Sequence, residues 1–147
     1  MSIFASPRFL PRVLWADAAS CLASGALQLA ALDALPVLLG VPQGLLLYTG
    51  VFLVAYGAVL AWIASRTDVP RKLVGLFAVG NVAWALGCVG AVAALRPSSW
   101  GAAWIAAQAA CVLVLAALQW AGLRGLQRRP ALAAAVPARR GGGQGFP

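Results

Sequence analysis

The amino-acid sequence predicts an all-α protein, a four-helix transmembrane bundle with antiparallel neighbours and both termini on the cytoplasmic side. Composition is the first observation behind this. Of 147 residues, 63% are hydrophobic and only 10% charged, whereas a soluble domain is about a quarter charged. With a mean hydropathy of +0.89, the chain has too few charges to coat a surface facing water. The second observation is segmentation: the apolar residues gather into four stretches of roughly 20 residues, each about 30 Å of helix, which matches the hydrocarbon thickness. The third is where the charges fall. Lys and Arg total 11 against three Asp and Glu, a net charge of +8. They lie between and after the apolar stretches, which is the pattern of a membrane protein and argues against nucleic acid as a partner.

Residues 1–11 form a short N-terminal arm, in which Pro7 and Pro11 are expected to delay the helix. The first span, 12–32, reads RVLWADAASCLASGALQLAAL. It exceeds the roughly 7–15 apolar residues of a signal-peptide core, and Asp17 interrupts its start, so it is expected to be retained. DALPVLLGVPQ follows at 33–43; Pro36, Gly40 and Pro42 make it a turn, yet an apolar one that dips into the interface. The second span, 44–65, carries Tyr48, Tyr56 and Trp62, and SRTDVPRK after it reads as a loop in water. The third span, 73–95, ends at the tight turn RPSSWG, and the fourth runs over 102–123. The four spans make up one membrane domain, 12–123. The tail 124–147 is basic, Pro-interrupted and Gly-rich at its end, which predicts disorder.

Orientation follows from the positive residues. Arg8 and Arg12 precede span one, Arg66, Arg71 and Lys72 lie between spans two and three, and Arg124, Arg128, Arg129, Arg139 and Arg140 follow span four. Only Arg96 falls on the opposite side. The positive-inside rule then places both termini in the cytoplasm of a cell with this chain in its inner membrane. Arg66, Arg71, Lys72, Arg124, Arg128 and Arg129 are expected to face anionic headgroups there. Trp15, Trp62, Trp100, Trp104 and Trp120 occupy belt positions near span ends, while Trp84 lies well inside span three.

Span one is not uniformly apolar. At 100° per residue, Asp17, Ser20, Cys21, Ser24 and Gln28 fall within an arc of about 100°. Such a helix wants protein on its polar side and lipid elsewhere. An Asp at a helix centre costs about 2.5–3.5 kcal/mol to insert, less this close to the end, so partners are needed. Depth along the helices suggests them. Asp17 and Gln119 lie about 6–8 Å inside, Tyr56 and Asn81 about 13 Å inside, and Gln28 and Gln108 meet near the other surface. Spans one and four are therefore expected side by side, hydrogen-bonded at two levels. Small-xxx-small patterns at Ser20/Ser24, Cys21/Gly25 and Ala83/Gly87/Ala91 allow close approach.

Two roles suit the intramembrane polar residues Asp17, Ser20, Ser24, Gln28, Tyr56, Asn81, Trp84, Gln108 and Gln119. Asp17 is either a proton- or cation-coupling carboxylate or a helix-end acid that bonds Gln119 or reaches water at the interface, and Asn81 and Trp84 either line a solute site or, in the case of Asn81, bind helices together. No Ser/His pair, metal cluster, phosphate loop or carboxylate pair occurs, so neither an enzyme nor a bound metal or cofactor is expected. Cys21, Cys88 and Cys111 form no C-x-x-C motif and read as packing residues. The expected function is a non-enzymatic structural or accessory subunit acting through helix–helix contacts, with a small-solute or proton-coupled transporter as the alternative. Expected partners are the bilayer, its anionic cytoplasmic headgroups, and a second copy or another membrane protein.

Four stretches carry a family resemblance: RVLWADAASCLASGALQLA at 12–30, VPRKLV at 69–74, FAVGNVAWALG at 77–87 and AAQAACVLVLAALQWAGLR at 106–124. In these the chain resembles a group of small, uncharacterised four-span inner-membrane proteins of bacteria, over most of residues 8–124. The motifs include Asp17, Asn81, Gln108 and Gln119. The resemblance implies the fold and the location, and it brings no established activity.

Overall fold

The computed structural model describes residues 8–66 and 68–135, with side chains as far as residue 125. Among them are five helices: α1 (Phe9–Ala30), α2 (Leu35–Leu39), α3 (Gln43–Ala64), α4 (Arg71–Leu95) and α5 (Ser99–Ala135). No strand occurs among the described residues. α1, α3, α4 and the Ser99–Gly125 portion of α5 are each long and apolar enough to cross a membrane, and α1 is the least apolar and the most buried of the four.

Three boundaries differ from those expected. α1 begins at Phe9, with Pro11 inside its first turn; a proline is tolerated there because its missing N–H has no partner within the helix to lose. The 33–43 stretch is not wholly a turn, since Leu35–Leu39 closes into one and a half turns of helix ended by Gly40 in the left-handed conformation, φ 66°. The apolar span ends at Gly125, close to the expected 123, but the helix that carries it does not stop there. The helix runs on to Ala135 through LRGLQRRPALAAA, a stretch dominated by the strong helix formers Leu, Arg, Gln and Ala. The first part of the basic tail is thus helical, Arg128 and Arg129 included. The N-terminal residues 1–7 and the Gly-rich end 136–147, where disorder is expected, lie outside the described residues.

The helices associate as two tight pairs, α1 with α3 and α4 with α5, joined chiefly where α1 meets α5. Lipid tails are as apolar as leucine, so pairing depends on close packing rather than on hydrophobic exclusion. Glycine provides the closeness. A Cβ added at Gly25 of α1 would lie 2.8 Å from the Gly50 carbonyl oxygen of α3, and one at Gly57 would lie 3.1 Å from the Ala18 carbonyl oxygen. Near the start of α1, Leu10 fills the space over Gly122 of α5. The pair α3/α4 is spaced differently. A column of rings stands between them: Trp84 stacks on Phe52 at 5.6 Å, Phe52 on Tyr56 at 5.7 Å, and Tyr56 meets Phe77 edge-on at 5.6 Å. Above this column α3 and α4 part into a cleft.

Two apolar cores result. The larger packs Leu10, Leu14 and Ala18 of α1 against Leu53, Leu60 and Ile63 of α3 and Val74 and Phe77 of α4. The smaller packs Leu35, Leu39, Val41 and Leu46, with Leu95 and Trp104 against them. At this second end α2 is latched to the α4–α5 turn. The Ser98 N–H donates to the Leu39 carbonyl at 3.0 Å, and the Ser98 hydroxyl donates to the Leu38 carbonyl at 2.7 Å. The hydroxyl also accepts the Gly101 N–H at 3.1 Å. Gly101 must lack a Cβ because the Leu39 carbonyl oxygen occupies its place. Ser98→Ala removes both hydroxyl bonds while sparing the backbone one. It is expected to cost about 1 kcal/mol, read as a drop in thermal midpoint and as faster amide exchange at Gly101, whose N–H loses its acceptor, and in the α2 end it latches, residues 38–41.

Candidate functional site

Among the described residues, the four that are both polar and buried are Asp17, Gln28, Asn81 and Gln119. Three of them meet. Asp17 lies two turns into α1, on the side turned away from Trp15 and Ala16, which are exposed. Its Oδ2 accepts the Gln119 amide from α5 at 2.7 Å and the Asn81 amide from α4 at 2.8 Å. The second hydrogen of Asn81 reaches Gln119 Oε1 at 3.5 Å, which closes a ring. Asp17 Oδ1 accepts the Cys21 thiol at 3.6 Å, one turn along the same helix. One carboxyl therefore ties together three helices, and Asp17 and Gln119 are 0% exposed.

The physical sense of the ring lies in its neutral partners. No Lys or Arg nitrogen among the described residues pairs with Asp17, so two carboxamides and a thiol supply all the stabilisation the carboxyl receives. Both carboxamide bonds, at 2.7 and 2.8 Å, lie in the ordinary range for N–H···O hydrogen bonds. Tyr56, expected at the level of Asn81, stands beside Gly80 and does not join the ring; its buried hydroxyl has no hydrogen-bond partner. Ser20 turns its hydroxyl back to the Asp17 carbonyl of its own helix at 2.9 Å, the usual habit of serine inside a helix.

The second expected level of pairing is absent. Gln28 does not meet Gln108. Its Oε1 lies 2.7 Å from the Thr49 hydroxyl of α3, because the glycine contact between α1 and α3 brings Thr49 closer than α5 can come. Gln108 stands across a cavity of about 540 Å³ that Gln28, Thr49, Phe52, Trp84 and Trp104 also line. A smaller cavity of about 210 Å³ adjoins it, shares Trp84, Trp104 and Gln108, and reaches Ser20, Cys21 and Ser24. The polar stripe of α1 thus borders the cavities at Ser20, Ser24 and Gln28 and hydrogen-bonds to other helices at two points, Asp17 with α4 and α5 and Gln28 with α3. Spans one and four touch over a shorter length than expected, and α3 is the principal neighbour of α1. The Ala83/Gly87/Ala91 pattern lines the larger cavity, and a Cβ at Gly87 would meet nothing within 4 Å.

Sequence reasoning missed Thr49, Cys21 as a partner of Asp17, and Phe52. The Gly50/Gly57 spacing, two turns of one helix, was the available signal for the α1–α3 contact. Cys21 was legible in principle too, since it follows Asp17 by four residues and so shares its face. The basic residues lie apart from this cluster. Arg66 rests over the Trp62 ring at 4.0 Å, and Arg71, Lys72 and Arg124 are exposed. Arg71 and Lys72 occupy the first turn of α4, where positive charge opposes the helix dipole by a few tenths of a kcal/mol.

Comparison of the chain with protein-family models, with curated proteins and with solved structures finds no match in any of the three.

Proposed function

We propose that this chain is a non-enzymatic structural or accessory subunit of a bacterial inner membrane that acts through helix–helix contacts. In this reading consecutive spans are antiparallel and both termini are cytoplasmic, with Arg66, Arg71, Lys72, Arg124, Arg128 and Arg129 against anionic headgroups. One observation carries it: Asp17 spends its hydrogen-bonding capacity inside the bundle, on Asn81, Gln119 and Cys21. A carboxyl employed in this way sets the positions of three helices. The unfavourable placement of Arg71 and Lys72 at a helix start supports the topology, because a role at the membrane surface outweighs so small a dipole cost.

The alternative, a small-solute or proton-coupled transporter, has one observation in its favour. The smaller cavity borders Cys21, and the Cys21 thiol is one hydrogen bond from Asp17. Purified protein in liposomes with an imposed pH gradient separates the two readings. Proton leak equal to that of protein-free liposomes, in wild type and Asp17→Asn alike, is the expected result. Flux in the wild type that Asp17→Asn abolishes would replace the structural reading with the transporter.

A further inference from the structure

We propose that the cleft between α3 and α4 is a binding site for an uncharged, largely apolar molecule bearing one hydroxyl or carbonyl head, taken up from the bilayer. This goes beyond the structural role of Asp17 and does not depend on it. The cleft encloses about 540 Å³, within the roughly 300–1,000 Å³ of ordinary ligand sites. It exists because the Phe52–Trp84 stack holds α3 and α4 apart and because Gly80, Ala83 and Gly87 leave the α4 wall bare.

Two carboxamides in this cleft have hydrogen-bonding capacity that the protein does not use. Gln28 is 2% exposed, and its only bond is the one with Thr49. The Thr49 hydroxyl has a single hydrogen and a second acceptor, the Leu45 carbonyl, at the same 2.7 Å. At least one polar atom of the Gln28 carboxamide therefore has no protein partner. Gln108 lines the same cavity from α5, and its side chain makes no hydrogen bond among the described residues. Unpaired amides at membrane depth are costly, and a head group that both donates and accepts, or accepts from both amides, removes that cost.

The remaining wall sets the class of the occupant. No Asp, Glu, Lys or Arg lines the cleft, so an ionised ligand would lie buried without a counter-charge. Away from the two amides the surface is aliphatic and aromatic, which suits an alkyl or isoprenoid body. The shallower groove between α4 and α5, lined by Val79, Val82, Leu113 and Trp120 among others, has no such amides and is an internal comparison for unspecific lipid contact.

The test is photolabelling of the full chain in phosphatidylcholine nanodiscs with a diazirine-bearing dodecanol, mapped by mass spectrometry. Saturable labelling of residues 80–91 and 104–108, displaced by excess plain dodecanol, is expected. Diazirine-bearing dodecanoate and dodecylamine should label these residues weakly. Gln28→Leu combined with Gln108→Leu is expected to reduce labelling about fivefold, the effect of losing one net hydrogen bond. Gly87→Leu, which projects into the open space, should reduce it at least as much. Asp17→Asn should leave it unchanged, so failure here and failure of the structural role are distinguishable. Labelling that does not saturate, that matches the α4–α5 groove, or that is equal for the charged probes overturns the proposal. Should a variant not fold, competition by dodecanol in the wild type still decides.

Discussion

Asp17→Leu is expected to destabilise the purified protein by about 2–4 kcal/mol, seen as a large fall in thermal midpoint and in accumulated protein. The substitution removes the acceptor shared by Asn81 and Gln119. Two buried carboxamides are then left to satisfy each other across a contact that is already long at 3.5 Å. A buried donor without an acceptor costs about 1–3 kcal/mol, and partial re-pairing keeps the total below the sum. Asp17→Asn should be far milder, because Asn retains a carbonyl oxygen where Oδ2 now lies. The triple variant Asp17→Leu, Asn81→Leu, Gln119→Leu sharpens the expectation. Replacing a whole buried polar group by apolar residues is often neutral or stabilising, whereas breaking it by removing one partner is not. The triple variant should therefore recover much of the lost stability. If Asp17→Leu is as stable as wild type, the ring has no structural role.

Gly25→Ala is expected to be the second severe change, at about 1–3 kcal/mol. The new methyl would sit 2.8 Å from the Gly50 carbonyl oxygen and 3.0 Å from the Val54 nitrogen. Both obstacles are backbone, so the helices must separate, and with lipid on offer as an equally apolar neighbour little draws them back. The separation also stretches the Gln28–Thr49 bond, one turn away. Gly87→Ala is the matched control. A Cβ there meets nothing within 4 Å, and alanine is the better helix former by about 0.5–1 kcal/mol. Thermal midpoints by size-exclusion in mild detergent should fall for the first and hold or rise for the second. Equal behaviour of the two variants would show that α1 and α3 are not in glycine-mediated contact.

How much was legible in advance differs from residue to residue. Asp17 and Gln119 were matched because each depends only on distance from its own helix end, and the match places them 2.7 Å apart in the bundle. Gln28 and Gln108 were matched by the same arithmetic, yet they face each other across a cavity. Depth puts two side chains at one level and says nothing of whether their helices touch there. Pro11 and the 33–43 stretch differ from expectation for a related reason: a first helical turn tolerates proline because the N–H there has no helical partner, and a helix of one and a half turns can stand when Ser98 ties down its end.

Four membrane-length helices and the polar side of α1 are written in the amino-acid order alone, including the level at which a buried acid requires a partner. These follow from composition and helical period, properties of one segment at a time. That α1 lies against α3, that Thr49 takes Gln28, and that α3 and α4 stand apart around a cleft emerges only when the helices are packed together. Those outcomes depend on how closely two backbones approach, which glycine permits at Gly25 and Gly50 and stacked rings prevent at Phe52 and Trp84. Such distances belong to pairs of helices, and no single segment encodes them.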